Sequence, residues 1–305
     1  MITKIEGLIA APFSTQDKQG NILYDRIPLY HDLLEKNEVS GAFINGSTGE
    51  GVSLTQKERM KTAEYWALAA KQSKLKIINL VGGTSYTECI ENARHSEEIG
   101  MDAIALLAPY YFKPANAKAL VEFCAKVAEA VPQMPVYFYH IPVLTGCNIS
   151  MYDFLKEAST AIPNLAGIKY THEDFMDFQS CINFENGKYD MLWGRDENLL
   201  SALILGARGG VGSTFNYAAP LYYQLIDAFD NGDFEMARKL QQQSIDMIRL
   251  LGKYGGIATG KAYMRYIGFE CGEFRLPVKN MSNEAYQEFE KDVQELQMQD
   301  LFSKL

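Results

Sequence analysis

Residues 165–171 read LAGIKYT. In an extended strand, successive side chains point to opposite faces. Leu165, Gly167, Lys169 and Thr171 therefore share one face, and Ala166, Ile168 and Tyr170 share the other. The second set is apolar and suits a layer beneath helices. The first set then points to the inside of whatever sheet the strand belongs to, and a lysine goes with it. Seven more apolar runs lie on either side of this one, at 7–13, 41–45, 76–81, 103–108, 136–141, 191–194 and 210–215. Near-continuous apolar strands separated by helix-like segments indicate a parallel sheet covered by helices.

The intervening segment 53–73, SLTQKERMKTAEYWALAAKQS, shows the helical pattern. Thr55 and Glu58 have capping-box spacing. Tyr65, Ala63, Leu68 and Ala69 are predicted to form its apolar side, with Lys57, Glu58, Lys61 and Glu64 on the wet side. Beyond the eighth strand, 217–251 and 283–305 read as helices, with a turn at 231–233. A doubly wound open sheet would be expected to carry a glycine-rich phosphate loop after its first strand, and neither G-x-G-x-x-G there nor G-x-x-x-x-G-K-[ST] anywhere is found. The expected fold is therefore α/β, a (β/α)₈ barrel with additional C-terminal helices. It forms one domain, with the barrel over about 1–230 and the extension over about 231–305.

The 305 residues are 47% hydrophobic and 22% charged, an ordinary globular balance. A net charge of -9 argues against a nucleic-acid partner. No run reaches the ~20 apolar residues of a membrane span. The opening MITKIEGLIAAPF is too short in its apolar part for a secretory leader and reads as a first strand. Five widely spaced cysteines without C-x-x-C suit free thiols in the cytoplasm.

In such a barrel the chemistry sits at the C-terminal ends of the strands, and polar residues collect there. Strand two ends in Asn45-Gly46-Ser47-Thr48-Gly49-Glu50, strand five near Tyr139-His140 and strand six at Lys169 and Thr171. Strand seven ends in Gly194-Arg195-Asp196-Glu197, and strand eight carries Ser213-Thr214. An inward lysine loses hydration, which lowers its pKa and frees the amine as a nucleophile; a strand-end lysine in a structural salt bridge has the same pattern. GSTGEG has the backbone donors and hydroxyls to hold a carboxylate, although taken alone its glycines point first to a tight turn. Tyr139 fits proton relay beside an amine, whereas Tyr137 fits the core. Asp196 and Glu197 fit substrate hydroxyls, or the dipole of the following helix. His31, His95, His140 and His172 show no metal-ligand spacing, so neither a metal nor a cofactor is expected.

The motifs GSTGE, YHIPVLTG, GIKYT, GRDE and GGVGSTFNY, in this order and spacing, resemble the pyruvate-dependent class I aldolases related to dihydrodipicolinate synthase. The resemblance runs from about residue 4 into the C-terminal helices. It implies that Lys169 forms a Schiff base with a 2-keto acid and that Tyr139 moves protons. It implies that Ser47 and Thr48 bind the carboxylate, and that Tyr111 in APYYFKP reaches a neighbouring subunit's site to complete a relay with Ser47 and Tyr139. Thr171, Gly194, Asp196, Glu197 and Ser213 match positions that hold the polyhydroxy part of sialic acid in members that cleave it. Pyruvate and sialic acid are then the small-molecule ligands, and the assembly is a homotetramer, a dimer of dimers. Family members that make dihydrodipicolinate usually carry an arginine where this chain has Leu144, and usually read GTTGE; lysine biosynthesis is therefore disfavoured. Arg195 has no role in this reading, and its side chain is open to either the helical layer or the mouth. The rival readings are a 2-keto-3-deoxy sugar acid aldolase and, outside enzymes, a sugar-acid sensor.

Overall fold

A computed structural model describes residues 2–305; Met1, the first residue of the expected barrel segment, lies outside them. The strands are β1 (Gly7–Ala10), β2 (Gly41–Ile44), β3 (Lys76–Leu80), β4 (Ala103–Leu107), β5 (Val136–His140), β6 (Leu165–Tyr170), β7 (Asp190–Trp193) and β8 (Gly209–Gly212). They pair in parallel in sequence order, and β1 pairs with β8 to close the barrel. Helices α1 (Ile27–Lys36), α2 (Gln56–Ala70), α3 (Tyr86–Glu98) and α4 (Ala117–Ala128) follow the first four strands. The short α5 (Pro142–Thr145) and α6 (Met151–Ala161) follow β5; α7 (Phe175–Asn183), α8 (Leu199–Leu205) and α9 (Phe215–Asp230) follow the last three. Three further helices complete the chain: α10 (Phe234–Lys253), α11 (Ala258–Tyr266) and α12 (Asn283–Glu295). The first and last strands are shorter than expected, and Phe215 already belongs to α9.

Alternate residues of the strands fill two cores. Ile9, Phe43, Ile78, Leu80, Leu107, Tyr137, Tyr139, Leu192 and Val211 pack inside the barrel. Ile104, Phe138, Ile168 and Tyr170 join the larger layer between strands and helices. The sequence expectation for β6 holds from Ile168 onward and is reversed at its start. Leu165 packs in the outer layer and Ala166 in the barrel. The cause is a register shift: Val136 pairs with Leu165, but Tyr137 pairs with Gly167. One extra residue flips every side chain before it.

β6 is also gripped from outside. The Tyr170 ring stacks on Trp193 at 6.0 Å, and Trp193 stacks on Phe175 at 5.4 Å. The Tyr170 hydroxyl donates to Asp177 at 2.9 Å. Each such aromatic pair contributes about 0.5–1.5 kcal/mol beyond area burial, so the strand that carries Lys169 is firmly seated.

α2 begins with the expected Thr55–Glu58 capping box. Its buried side is different: Ala63 and Trp66 face the barrel, while Leu68 is 69% exposed. At about 3.6 residues per turn Trp66 lies on the same side as Ala63, three positions before it, and Leu68 falls on the far side. The sequence pattern had no helix at α11. It is buried along Ala258–Met264, so it has no wet face to impose a period.

Candidate active site

Lys169 stands directly beside Tyr139 in the β5–β6 register. Its Nζ lies 4.0 Å from the ring centroid of Tyr139 and 4.0 Å from that of Phe43. Burial lowers its pKa from 10.5 to about 7, while the nearby charge of Asp196 pulls upward. The two ring faces favour an ammonium by about 0.5–2 kcal/mol. That is too little to reverse a displacement worth roughly 5 kcal/mol. Half of these amines are therefore neutral near pH 7.

Asp196 begins the short turn after β7, at the mouth. Its Oδ2 accepts from the Thr214 backbone N–H at 3.0 Å and from the Thr214 hydroxyl at 2.6 Å. Behind Thr214 a chain of hydroxyls runs through Tyr222 to Ser244, each link 2.7 Å long. Gln241 donates to the Asp196 carbonyl at 3.2 Å. Burial pushes the Asp196 carboxyl up to about 7, against the Thr214 hydrogen bonds. Asp196 is thus a rigidly held acid within electrostatic reach of the amine. A Cβ on Gly212 would overlap its carboxylate. Gly212→Ala is expected to lower stability in urea unfolding by about 1–3 kcal/mol through overpacking; an unchanged midpoint would show that Asp196 can move aside freely.

Tyr139 is buried, and burial raises its pKa, while the hydroxyls of Ser47 and Thr171 nearby work in the opposite direction. Ser47 and Thr48 occupy a turn closed by the Glu50 N–H donating to the Ser47 carbonyl at 3.1 Å. Thr48 is buried and Ser47 half-buried. The Thr171 hydroxyl has no hydrogen-bond partner among the described residues. It sits against Gly194, where a Cβ would strike it. Glycine at 194 therefore makes room for the threonine.

Arg195 lies at the mouth, not in the helical layer. It pairs with Glu173 at 2.8 Å and with Glu197 at 3.2 Å. Glu197 thus has an arginine partner, and Ser213 is half-buried at the end of β8. Lys169, Tyr139, Ser47, Thr48, Thr171, Gly194, Asp196, Glu197 and Ser213 all fall at the C-terminal end of the barrel. Tyr111 does not join them within one chain: it is 77% exposed on the β4–α4 loop, against Phe112. A cavity of about 600 Å³ opens at the opposite end, among Ile5, Tyr137 and Leu165, and holds none of these residues. Tyr137 is a buried core residue whose hydroxyl donates to Asp190 at 2.8 Å.

Three residues have supporting roles that the sequence does not show. Phe43 covers the amine, Thr214 holds Asp196, and Glu50 anchors the GSTGE turn. The motifs that contain Thr214 and Glu50 were visible; their partners, up to 225 positions away in sequence, were not.

A buried, weakly basic lysine at the mouth of an eight-stranded barrel is the apparatus of a Schiff-base aldolase. The chain belongs to the dihydrodipicolinate synthetase family, whose profile it matches over residues 4–296. N-acetylneuraminate lyase of Homo sapiens is 39% identical over 287 residues, covering 92% of this chain and 89% of the relative. That of Gallus gallus is 40% identical over 285 residues, covering 92% of each. The solved structure of Proteus mirabilis N-acetylneuraminate lyase superposes with a TM-score of 0.93 at 37% identity, covering 96% of this chain and 99% of the other. With these relatives the chain is a carbon–carbon lyase of the class I aldolase type. Among the described residues, no helix is long and apolar enough to cross a membrane.

Proposed function

We propose that this chain cleaves N-acetylneuraminic acid reversibly to N-acetylmannosamine and pyruvate through a Schiff base on Lys169. The neutral Lys169 amine adds to the C2 keto carbon, and the adduct takes up one proton from solvent and loses water, giving an iminium ion. The iminium accepts the electron pair of the C3–C4 bond as it breaks, so an enamine forms in place of an unstabilised carbanion. Tyr139 keeps its own proton at rest, because burial raises its pKa. It therefore acts as a relay: the C4 hydroxyl proton passes to its oxygen as its own proton moves to the substrate carboxylate. The proton on the carboxylate returns through Tyr139 to C3 of the enamine, and water then releases pyruvate, the free amine and the proton taken up when the iminium formed.

Ser47 and Thr48 hold the keto-acid carboxylate, at a turn rich in backbone donors. Thr171, Gly194, Asp196, Glu197 and Ser213 line the path of the polyhydroxy chain. Asp196 and Glu197 accept hydrogen bonds from its hydroxyls. The partner subunit's Tyr111 completes the relay with Ser47 and Tyr139, which gives the exposed Tyr111 a place in a homotetramer. A cytoplasmic location fits five cysteines that are all free and buried. No metal or cofactor is required, since the iminium supplies the electron sink.

The observation that carries this reading is the amine of Lys169 lodged between Phe43 and Tyr139 with Asp196 close by. The test is pyruvate release from N-acetylneuraminic acid beside 2-keto-3-deoxygluconate. The sialic acid is expected to have the higher kcat/KM by at least about 100-fold, since a site built for hydroxyls discriminates strongly. The reverse preference would assign the chain to sugar-acid cleavage, and binding without turnover of either would make it a sensor.

A further inference from the structure

We infer that the buried Glu50–Lys261 ion pair is a clamp through which α11 sets the position of the Ser47–Thr48 turn, making Lys261 a positioning residue for the keto-acid carboxylate. The inference rests on the reading that Ser47 and Thr48 bind that carboxylate.

Glu50 is joined to the turn at its backbone. Its N–H closes the turn on the Ser47 carbonyl, and the Gly51 N–H donates to the Gly46 carbonyl at 3.0 Å. Glu50 has φ 57°, in the left-handed region that side chains disfavour. A glycine would take that conformation freely; a glutamate adds a carboxylate that ties the turn to distant segments. That carboxylate is fully engaged. Oε1 accepts from Gln16 at 2.9 Å, from Lys261 at 2.9 Å and from the Ser14 hydroxyl; Oε2 accepts from the Arg275 N–H at 2.8 Å. Neither side of the turn has slack. A Cβ on Gly51 would run into the Asn45 carbonyl, and one on Gly49 would approach the Pro12 carbonyl to 3.1 Å.

Lys261 is held as tightly. Its ammonium also donates to the Glu273 carbonyl at 2.8 Å and lies 4.5 Å from the Phe274 ring centroid. Both side chains of the pair are nearly inaccessible, at 3% and 4% exposure. Arg275 extends the clamp to the next helix: it pairs with Glu58 of the α2 capping box and donates to the Ser53 carbonyl at 3.3 Å. An apolar pair would pack such a site at no loss of stability. An ion pair with directional hydrogen bonds fixes registry, and here the registry is that of the turn bearing Ser47 and Thr48.

The test uses the whole protein and measures borohydride trapping of pyruvate as a function of pyruvate concentration. Lys261→Met is expected to raise the half-saturating pyruvate concentration by about tenfold or more, while the limiting trapping rate stays within about threefold, because Lys169 is untouched. Lys261→Arg, which keeps the charge, is expected to recover most of the loss. Should Lys261→Met fail to fold, the double variant Glu50→Gln with Lys261→Met leaves no unpaired charge and is expected to show the same rise. A lowered melting temperature with unchanged half-saturation, in whichever of these variants folds, overturns the inference. Ser47→Ala is measured alongside. If it too leaves half-saturation unchanged, the carboxylate reading itself fails; if it raises half-saturation and the clamp variants do not, only the clamp fails.

Discussion

Lys169→Met is expected to abolish borohydride trapping of pyruvate and to lower cleavage by roughly 10⁴- to 10⁶-fold. Among the described residues two lysines are buried, and their surroundings separate their roles. Lys261 has a carboxylate at 2.9 Å, which opposes the lowering of its pKa by burial. Lys169 has aromatic faces around its amine and a pKa near 7. At pH 7 roughly half of Lys169 is therefore the neutral nucleophile, about 10³ times the fraction of an ordinary lysine. In the parent, the trapping rate should rise with pH up to about 7 and then level off. Mass added to a peptide without Lys169 would sink this mechanism.

The same substitution is expected to stabilise the fold. The folded-state pKa of Lys169 lies below its unfolded value, so between about pH 7 and 10.5 the unfolded chain binds the extra proton. Stability from this site increases as pH rises through that window and is reduced below it. Asp196 has the opposite sign. Its pKa is raised from 3.8 to about 7, so the folded state binds the extra proton in that interval, and its contribution falls as pH rises through it. Replacing Lys169 by an apolar side chain removes the first penalty, and at pH 7 a gain of a few kcal/mol is expected. Unfolding midpoints of parent and variant between pH 7 and 10 provide the measurement, and the difference should shrink toward the upper end. An inactive but more stable variant is what a functional buried amine predicts, and a salt-bridge lysine predicts the reverse.

What the sequence discloses here follows from the range of the forces. The eight strands are legible because a barrel strand is buried on both faces and reads as an unbroken apolar run. The face of Lys169 is legible because strand periodicity is local. The same periodicity misplaces Leu165 and Ala166, since the extra residue that flips them shows only in the pairing with β5. α11 leaves no amphipathic trace because it is buried along most of its length. Leu68 is misassigned although the helical period itself places it away from Ala63 and Trp66, the two residues that are buried. The strand-end motifs bring the candidate site together without any structure. What holds them, Thr214 behind Asp196 and Lys261 behind Glu50, depends on contacts between distant segments. Arg195 is settled by its two acidic partners, and neither pairing has a sequence signature.

Tyr139→Phe is expected to lower kcat for cleavage by roughly 10²- to 10⁴-fold, the usual contribution of a positioned acid–base group. It should leave pyruvate trapping on Lys169 largely intact. The two measurements separate because the steps are distinct: iminium formation needs the neutral amine, whereas breaking C3–C4 needs the C4 hydroxyl proton removed. Phenylalanine keeps the ring that packs against Phe43 at 5.4 Å and faces the amine at 4.0 Å. The desolvation that lowers Lys169 is therefore retained, and the pH midpoint of trapping should stay near 7. Only the hydroxyl beside Ser47 and Thr171 is lost. If trapping and cleavage fell together, with the midpoint displaced toward that of an ordinary lysine, Tyr139 would be acting on the amine and not on the C4 proton. If cleavage persisted at the parent rate, the relay would have to be assigned to another group at the barrel mouth. Asp196 would be the first to test, because its carboxyl titrates in the same range as the amine and its Oδ2 is already held by Thr214.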